Sequence, residues 1–206
     1  MIYVFGDSFS VKFGDRRFIS NLQDYINWKG YDPKLYFELL CDELGEQYEC
    51  YVKPGMSNSY IFNQFINVYD KIKPTDIIIF NWTEIVRFIY YQDDKIRSSL
   101  SKDFNEVFSE QTFNEILLNR TNKNYIKEQY DLINFIDKIL IENKVIHWTW
   151  ASNKEIPQDN EFTIQKETGG LIYDFHFGES GHRFLYECFS KLLKEKNKIH
   201  FNLWEL

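Results

Sequence analysis

Short runs of apolar residues alternate along this chain with longer stretches in which apolar residues recur at helical spacing. The clearest run lies in residues 76–82, where four adjacent bulky apolar residues are typical of a strand covered on both faces. Shorter apolar runs predict further strands at residues 2–5, 48–52, 145–150 and 171–173. Strands that alternate with helices indicate a parallel sheet with helices on both faces, so the pattern predicts an α/β fold.

The stretches between these strands predict helices. Asp32 and Pro33 predict the start of the first helix, as an N-cap followed by a proline at the first helical position, and Gly45 predicts its end. Apolar residues at helical spacing predict the others, at residues 57–72, 125–142 and 179–195. Each predicted strand is therefore separated from the next by a segment long enough for a crossover.

One long segment does not follow this pattern. Residues 84–123 are rich in Ser, Asn and Asp with scattered aromatic residues, and they are too numerous for an ordinary connection. We predict a helical insertion or lid over one end of the sheet. A chain of 206 residues fits one unit with a sizeable core, so residues 1–206 are predicted to form a single domain.

Composition and charge narrow the class of protein. Hydrophobic residues make up 44% and aromatic residues 18%, which excludes a disordered chain. The net charge is -7, without a cluster of Lys or Arg, so electrostatics predict neither nucleic acid nor an anionic membrane as partner. No apolar stretch is long enough for a membrane span, and the N-terminus lacks the apolar core of a signal peptide. We therefore expect a cytoplasmic protein without a membrane partner.

Polar residues with catalytic potential follow the predicted strands. The carboxyl ends of parallel strands meet at one rim of a sheet, where catalytic groups collect. Four segments of this chain reach that rim with Ser8, Gly55, Asn81 and Thr83, and Asp174 with His176. A serine, a histidine and an acid are the parts of a hydrolytic triad.

In order and content these segments resemble the SGNH/GDSL hydrolase superfamily, and the resemblance spans nearly the whole chain. Residues 6–10, Gly-Asp-Ser-Phe-Ser, are similar to the first block of the family, whose serine is the nucleophile; this implies that role for Ser8. The resemblance further implies a three-layer α/β/α sandwich with a flavodoxin-like, five-stranded parallel sheet. It implies that the backbone N–H of Gly55, in the second block, points into the oxyanion hole.

The last two family blocks are matched less regularly. The third block is usually Gly-x-Asn-Asp, and this chain has Asn-Trp-Thr-Glu at residues 81–84. Aligning the two stretches puts Thr83 at the side-chain donor position, while Asn81 is the only amide nearby; both remain candidates. In the last block the acid normally lies three residues before the histidine, whereas Asp174 is two residues before His176.

The chemistry requires these residue types together. A serine hydroxyl is a poor nucleophile at neutral pH, so Ser8 needs a base, His176, within hydrogen-bond reach. Asp174 would orient the imidazole and stabilise the imidazolium that forms. The N–H groups of Ser8 and Gly55, with a side-chain donor, would bind the oxyanion. Asp7 is expected to form only the turn, because its carboxylate can accept local N–H bonds.

The resemblance implies a serine esterase that works through an acyl-enzyme, a carboxylic ester hydrolase of the EC 3.1.1 type. Small O-acyl groups such as acetyl, carried by a small molecule or a glycan, are the expected substrates. An O-acyltransferase of the same fold is a close alternative, and a non-catalytic carbohydrate-binding or assembly module is a different one. No cofactor is expected. No metal is expected either, because His176 and His182 have no third ligand nearby in the sequence.

Overall fold

A computed structural model gives the fold of this protein. It describes residues 1–11, 30–31, 33–85, 87, 89–92, 95–98, 109–120, 123–150, 162–164, 171–173 and 179–204. The described strands are β1 (Ile2–Gly6), β2 (Tyr48–Val52), β3 (Ile77–Trp82), β4 (Ile89–Gln92), β5 (Lys95–Ser98), β6 (Lys144–Thr149), β7 (Phe162–Ile164), β8 (Leu171–Tyr173) and β9 (Lys198–Phe201). The described α-helices are α1 (Tyr36–Leu44), α2 (Asn58–Val68), α3 (Glu110–Arg120), α4 (Lys123–Ile139) and α5 (Glu179–Glu195).

Five of these strands form one parallel sheet in the order β2-β1-β3-β6-β9. Apolar side chains of α1 and α5 form a core with one face of the sheet, and those of α2 and α4 form a second core with the other. The architecture is therefore a three-layer α/β/α sandwich, which confirms the predicted fold class. None of the helices described is long and apolar enough to cross a membrane.

The order of the strands predicts a ligand-binding crevice between β1 and β3. After β1 the chain crosses to β2 on one side, and it later returns to β3 on the other side of β1. The connection to β2 and the return to β3 therefore lie on opposite sides of β1. In open α/β sheets, ligands bind at such a point, in the crevice outside the carboxyl ends of the strands. The segments that follow β1 and β3 are therefore the first place to look for a functional site.

The first helix begins later than the sequence predicts. Pro33 lies outside the helix, which starts at Tyr36, with Leu35 in an extended conformation as its N-cap. The Glu38 carboxylate accepts the backbone N–H of Leu35 at 3.0 Å and thereby caps the helix from within. Asp32, the predicted N-cap, lies outside the described residues. The predicted end is confirmed, since Gly45 adopts a left-handed conformation with φ of 67°.

The fifth strand of the sheet is not the predicted one. The predicted strand at residues 171–173 exists as β8, but it pairs antiparallel with β7 in a separate two-stranded sheet. The edge position of the central sheet is taken by β9, which pairs with β6. The segment of β9 is only four residues long and mixes lysine and histidine with apolar residues, so its pairing with β6 outweighs a weak local pattern.

The segment predicted as a helical insertion contains both kinds of structure. Strands β4 and β5 form an antiparallel hairpin, and α3 follows. The segment thus holds a hairpin as well as a helix, and its role as a helical insertion or lid over the sheet stays a prediction.

Candidate functional site

The turn after β1 is fixed by the side chain of Asp7. This residue is the N-cap of a short 3-10 helix, Ser8–Ser10, and its Oδ1 accepts the backbone N–H of Phe9 at 3.0 Å. The local contact agrees with the turn-forming role predicted for Asp7. Ser8, the predicted nucleophile, is half-buried in this turn, at the carboxyl end of a central strand.

Asp7 also makes contacts that a turn does not require. Its second oxygen accepts hydrogen bonds from Arg87 Nη1 at 3.1 Å and from Trp150 Nε1 at 2.9 Å. Arg87 follows β3 and Trp150 follows β6, so one carboxylate joins the ends of three neighbouring strands. The Arg87 guanidinium also lies 5.0 Å from the centre of the Trp150 ring, and Phe9 stacks on that ring at 4.4 Å.

The ion pair between Asp7 and Arg87 is buried. Asp7 is fully inaccessible and Arg87 is 9% exposed. Burial raises the pKa of Asp7 above its ordinary value, and the Arg87 charge opposes this shift. Removing one partner of such a pair strongly destabilises a protein, because the remaining charge is then buried without its partner.

Thr83 is held in place by its backbone. Asn58, at the start of α2, accepts the Thr83 N–H with Oδ1 at 2.8 Å and donates its Nδ2 to the Thr83 carbonyl at 3.4 Å. The Thr83 hydroxyl is buried and makes no hydrogen bond of standard geometry to a described residue, although it lies close enough to Asp7 to lower the pKa of that carboxyl. Asn58 thus ties the segment after β2 to the segment after β3.

Asn81 belongs to a different hydrogen-bond network, on the face of the sheet that α1 covers. Its Oδ1 accepts the Ser10 hydroxyl at 3.0 Å, and Ser10 is also 2.9 Å from the Tyr36 hydroxyl. Because Ser10 has one proton and gives it to Asn81, Tyr36 must be the donor to Ser10. The Asn81 side chain also packs on Gly6, where an added Cβ would lie 2.8 Å from Asn81 Cβ.

Gly55 lies in the turn after β2. Its φ is 75°, a left-handed conformation that favours glycine, and the residue is half-buried. The end of β2 is joined to β1, since the Lys53 N–H donates to the Gly6 carbonyl at 3.2 Å. The structure thus brings the segments of Ser8, Gly55 and Thr83 to neighbouring strand ends.

The predicted acid and base, Asp174 and His176, lie outside the described residues. The structure describes the elements on either side of them, β8 before and α5 after. His182, in the first turn of α5, is buried and stacks on Tyr36 with ring centres 6.0 Å apart. This position agrees with a role in packing.

A recess of about 260 Å³ opens beside the turn that carries Ser8. Its walls come from the 3-10 helix, α1 and β2, and include Val11, Phe37 and Val52. The Val11 N–H donates to the Ser8 carbonyl at 3.3 Å, so the recess begins within one turn of the predicted nucleophile. Its lining is mainly apolar.

A second cluster of titratable groups lies between α4, which carries Asp137, and strands β6 and β9, which carry His147 and His200. His147 Nε2 is 3.2 Å from Asp137 Oδ1, and His200 Nε2 is 2.7 Å from Asp137 Oδ2. Burial alone would raise the pKa of Asp137, but the two histidines outweigh it and hold that pKa well below its usual range. The ligand atoms of the three residues lie within 4.8 Å of one another, which is close enough for a metal ion.

The tautomer of His147 argues against a metal at this cluster. Trp82 Nε1 lies 3.1 Å from His147 Nδ1, and an indole N–H can only donate. His147 Nδ1 must therefore accept, which leaves the proton on Nε2, facing Asp137. A histidine that binds a metal through Nε2 would carry a proton on Nδ1 and present it to the Trp82 donor. The cluster is better described as a hydrogen-bonded Trp–His–Asp–His chain.

Sequence reasoning misses the part that three residues play in this site. It predicts only a turn for Asp7, yet Asp7 is the centre of an ion pair and hydrogen-bond network that spans three strands. Arg87 and Trp150 lie 80 and 143 positions away in sequence, so no local spacing could reveal the contact. The one sequence signal for this network is that Asp7, a charged residue, directly follows a buried strand.

Neither a scan against protein-family models nor a search of curated proteins finds a match for this chain. Its function therefore has to be argued from its own residues.

Proposed function

We propose that this protein is a serine-dependent carboxylic ester hydrolase that acts through an acyl-enzyme, as its resemblance to the SGNH/GDSL hydrolases implies. The observation that carries the proposal is the position of Ser8. Its turn follows β1, an internal strand at the crossover point of the sheet, and Asp7 fixes that turn to the ends of β3 and β6. A rigid turn at this place is what a nucleophile needs for productive orientation.

In the proposed reaction, the Ser8 hydroxyl attacks the ester carbonyl while His176 takes the hydroxyl proton. The tetrahedral intermediate then collapses, its C–O bond to the alcohol breaks, and His176 gives the proton to the departing alcohol. Water attacks the acyl-enzyme in the same way and releases the acid. Asp174 is the proposed partner of the histidine.

For the side-chain donor to the oxyanion we propose Thr83 rather than Asn81. The Asn81 amide is engaged in the core, with Oδ1 bound by Ser10 and Nδ2 3.5 Å from the Trp82 carbonyl. The Thr83 hydroxyl has no hydrogen bond of standard geometry to the described residues, so only its contact with Asp7 would have to be exchanged for one with the oxyanion, and Asn58 holds the Thr83 backbone in place. The N–H groups of Ser8 and Gly55 are the proposed backbone donors.

For the acyl group we propose the recess next to the Ser8 turn, which is lined by Ser10 and Val11 of that turn and not by Ser8 itself. Its mainly apolar space of about 260 Å³ suits the acyl part of an ester. Acetyl and other short acyl esters, of small molecules or glycans, are the proposed substrates.

The test uses a fluorophosphonate probe, which labels activated serines, and p-nitrophenyl acetate as substrate. We expect wild-type protein to be labelled and to release p-nitrophenol, and Ser8→Ala to lose both activities. Ser190→Ala is the matched control, because Ser190 lies in the C-terminal half of α5 and hydrogen-bonds Glu43 near the C-terminal end of α1, outside the proposed site. Absence of both label and turnover in folded wild-type protein would refute the enzyme and favour a binding module. Turnover that rises with added alcohol, with the acyl ester of that alcohol as product, would indicate an acyltransferase.

A further inference from the structure

The carboxylate of Asp7 creates an electrostatic problem for the proposed reaction. Asp7 is adjacent to Ser8 and completely buried, so its charge is not screened by water. The oxyanion that forms at Ser8 is also negative, and a like charge nearby would raise its energy. A site that uses Asp7 as a structural anchor therefore needs a positive charge to compensate it.

Arg87 meets this requirement. Its Nη1 binds Asp7 Oδ2 at 3.1 Å, and its Nε lies 3.7 Å from the Glu84 carboxylate at the surface. The other groups that face Asp7 come from several elements. They are the Phe9 N–H and the Thr83 hydroxyl, the Trp150 indole, and Tyr36 of α1, whose pKa is raised chiefly by burial and in small part by the Asp7 charge. Among the described residues that face Asp7, only Arg87 carries a positive charge.

We propose that Arg87 is a positioning residue of the Ser8 site, which holds the Asp7 carboxylate in place and cancels its charge beside the developing oxyanion. The inference rests on the proposed function, and it adds a residue that lies outside the family-like segments of the sequence. Arg87 is not expected to touch the substrate, because both of its described ionic partners are carboxylates of this chain.

The pH dependence of labelling distinguishes this role from a purely structural one. In Arg87→Gln the carboxylate has lost the charge that opposes the effect of burial, so Asp7 binds a proton more readily. As the pH rises, Asp7 ionises without a counter-charge, and the rate of Ser8 labelling should fall relative to wild type. The expected fall is about tenfold for every ~1.4 kcal/mol by which the Asp7 charge raises the energy of the oxyanion. Asp7→Asn/Arg87→Gln has no group to titrate at this place, so its rate relative to wild type should not change with pH.

Two further variants complete the design. Arg183→Gln removes an exposed arginine of α5 and should label like wild type at every pH. Arg87→Lys keeps the positive charge but lacks the planar guanidinium that can bind a carboxylate through two N–H groups. It should therefore lower the rate of Ser8 labelling without the new pH dependence. If Arg87→Gln does not fold, as judged by circular dichroism, Arg87→Lys decides: a labelling rate below that of wild type supports the inference, and a rate equal to wild type at every pH overturns it.

The outcomes separate the inference from the function on which it rests. Labelled wild-type protein with an Arg87→Gln profile parallel to that of Arg183→Gln would overturn the inference and leave the esterase intact. The inference also fails, with the esterase again intact, if the double variant shows the pH dependence of Arg87→Gln. Wild-type protein without Ser8-dependent label would overturn the esterase itself, and the positioning role of Arg87 with it.

Discussion

Acid should destabilise this protein through His147. The ring is fully buried between the Trp82 donor and the Asp137 carboxylate, and burial lowers its pKa below the ordinary value despite that carboxylate. Protonation would place a second proton on Nδ1, directly opposite the Trp82 N–H at 3.1 Å. The folded protein therefore resists a proton that the unfolded chain accepts.

The sign and size of the effect follow from proton linkage. A histidine in the unfolded chain titrates near pH 6.5, so below about that value the unfolded state binds a proton and the folded state does not. The free energy of unfolding then falls by up to about 1.4 kcal/mol per pH unit until the folded pKa is reached. Between about pH 7 and pH 5 the loss due to His147 should reach as much as about 2 kcal/mol.

Urea unfolding at several pH values measures this loss. His147→Gln keeps an acceptor for Trp82 and a donor for Asp137 but cannot titrate, so wild type should lose more stability than this variant as the pH falls. Trp82→Phe removes the opposing donor and should also reduce the loss. His200→Gln controls for the exposed histidine of the cluster. Parallel stability curves for wild type and His147→Gln would show that the pKa of His147 is not lowered in the folded protein.

Two other substitutions test the packing of the proposed site. Gly6→Ala places a Cβ 2.8 Å from Asn81 Cβ, so we expect a loss of about 1–3 kcal/mol in urea unfolding, and an unchanged midpoint would mean that the two strands can part without cost. Asn58→Ala leaves the buried Thr83 N–H without its acceptor and should cost about 1–3 kcal/mol and slow Ser8 labelling. Asn63→Ala, at an exposed position of the same helix, should change neither, and an equal effect of both variants would exclude a specific role for Asn58.

The fold is predictable from the sequence where periodicity and burial agree. Residues 77–80 are apolar without interruption and form the centre of β3, and the apolar spacing of α4 places Ile133 and Ile136 in the core. The predicted start of α1 is wrong because Glu38 caps the helix from its first turn, an interaction that competes with the Asp-Pro signal. Local sequence patterns predict a helix or strand correctly where its structure depends mainly on its own residues.

The missed features depend on partners distant in the chain. Strand β9 is short and gains its place from β6, and His200, near the C-terminal end of the sequence, is part of that strand. Asp7 and Arg87 meet because β1 and β3 are neighbours, although 80 positions separate them. The convergence of strand ends predicts where a candidate site lies, but the ion pair of Asp7 with Arg87 joins residues that no local pattern connects.

The place of β3 at the centre of the five-stranded sheet has a consequence for how the chain can be produced. Its two neighbours are β1 and β6, and β6 begins at Lys144. A nascent or truncated polypeptide that stops before Lys144 would leave β3 as an unpaired edge with six buried residues exposed on its open side. Fragments cut there should aggregate, and expression of residues 1–143 alone is therefore a poor route to a minimal version of this protein.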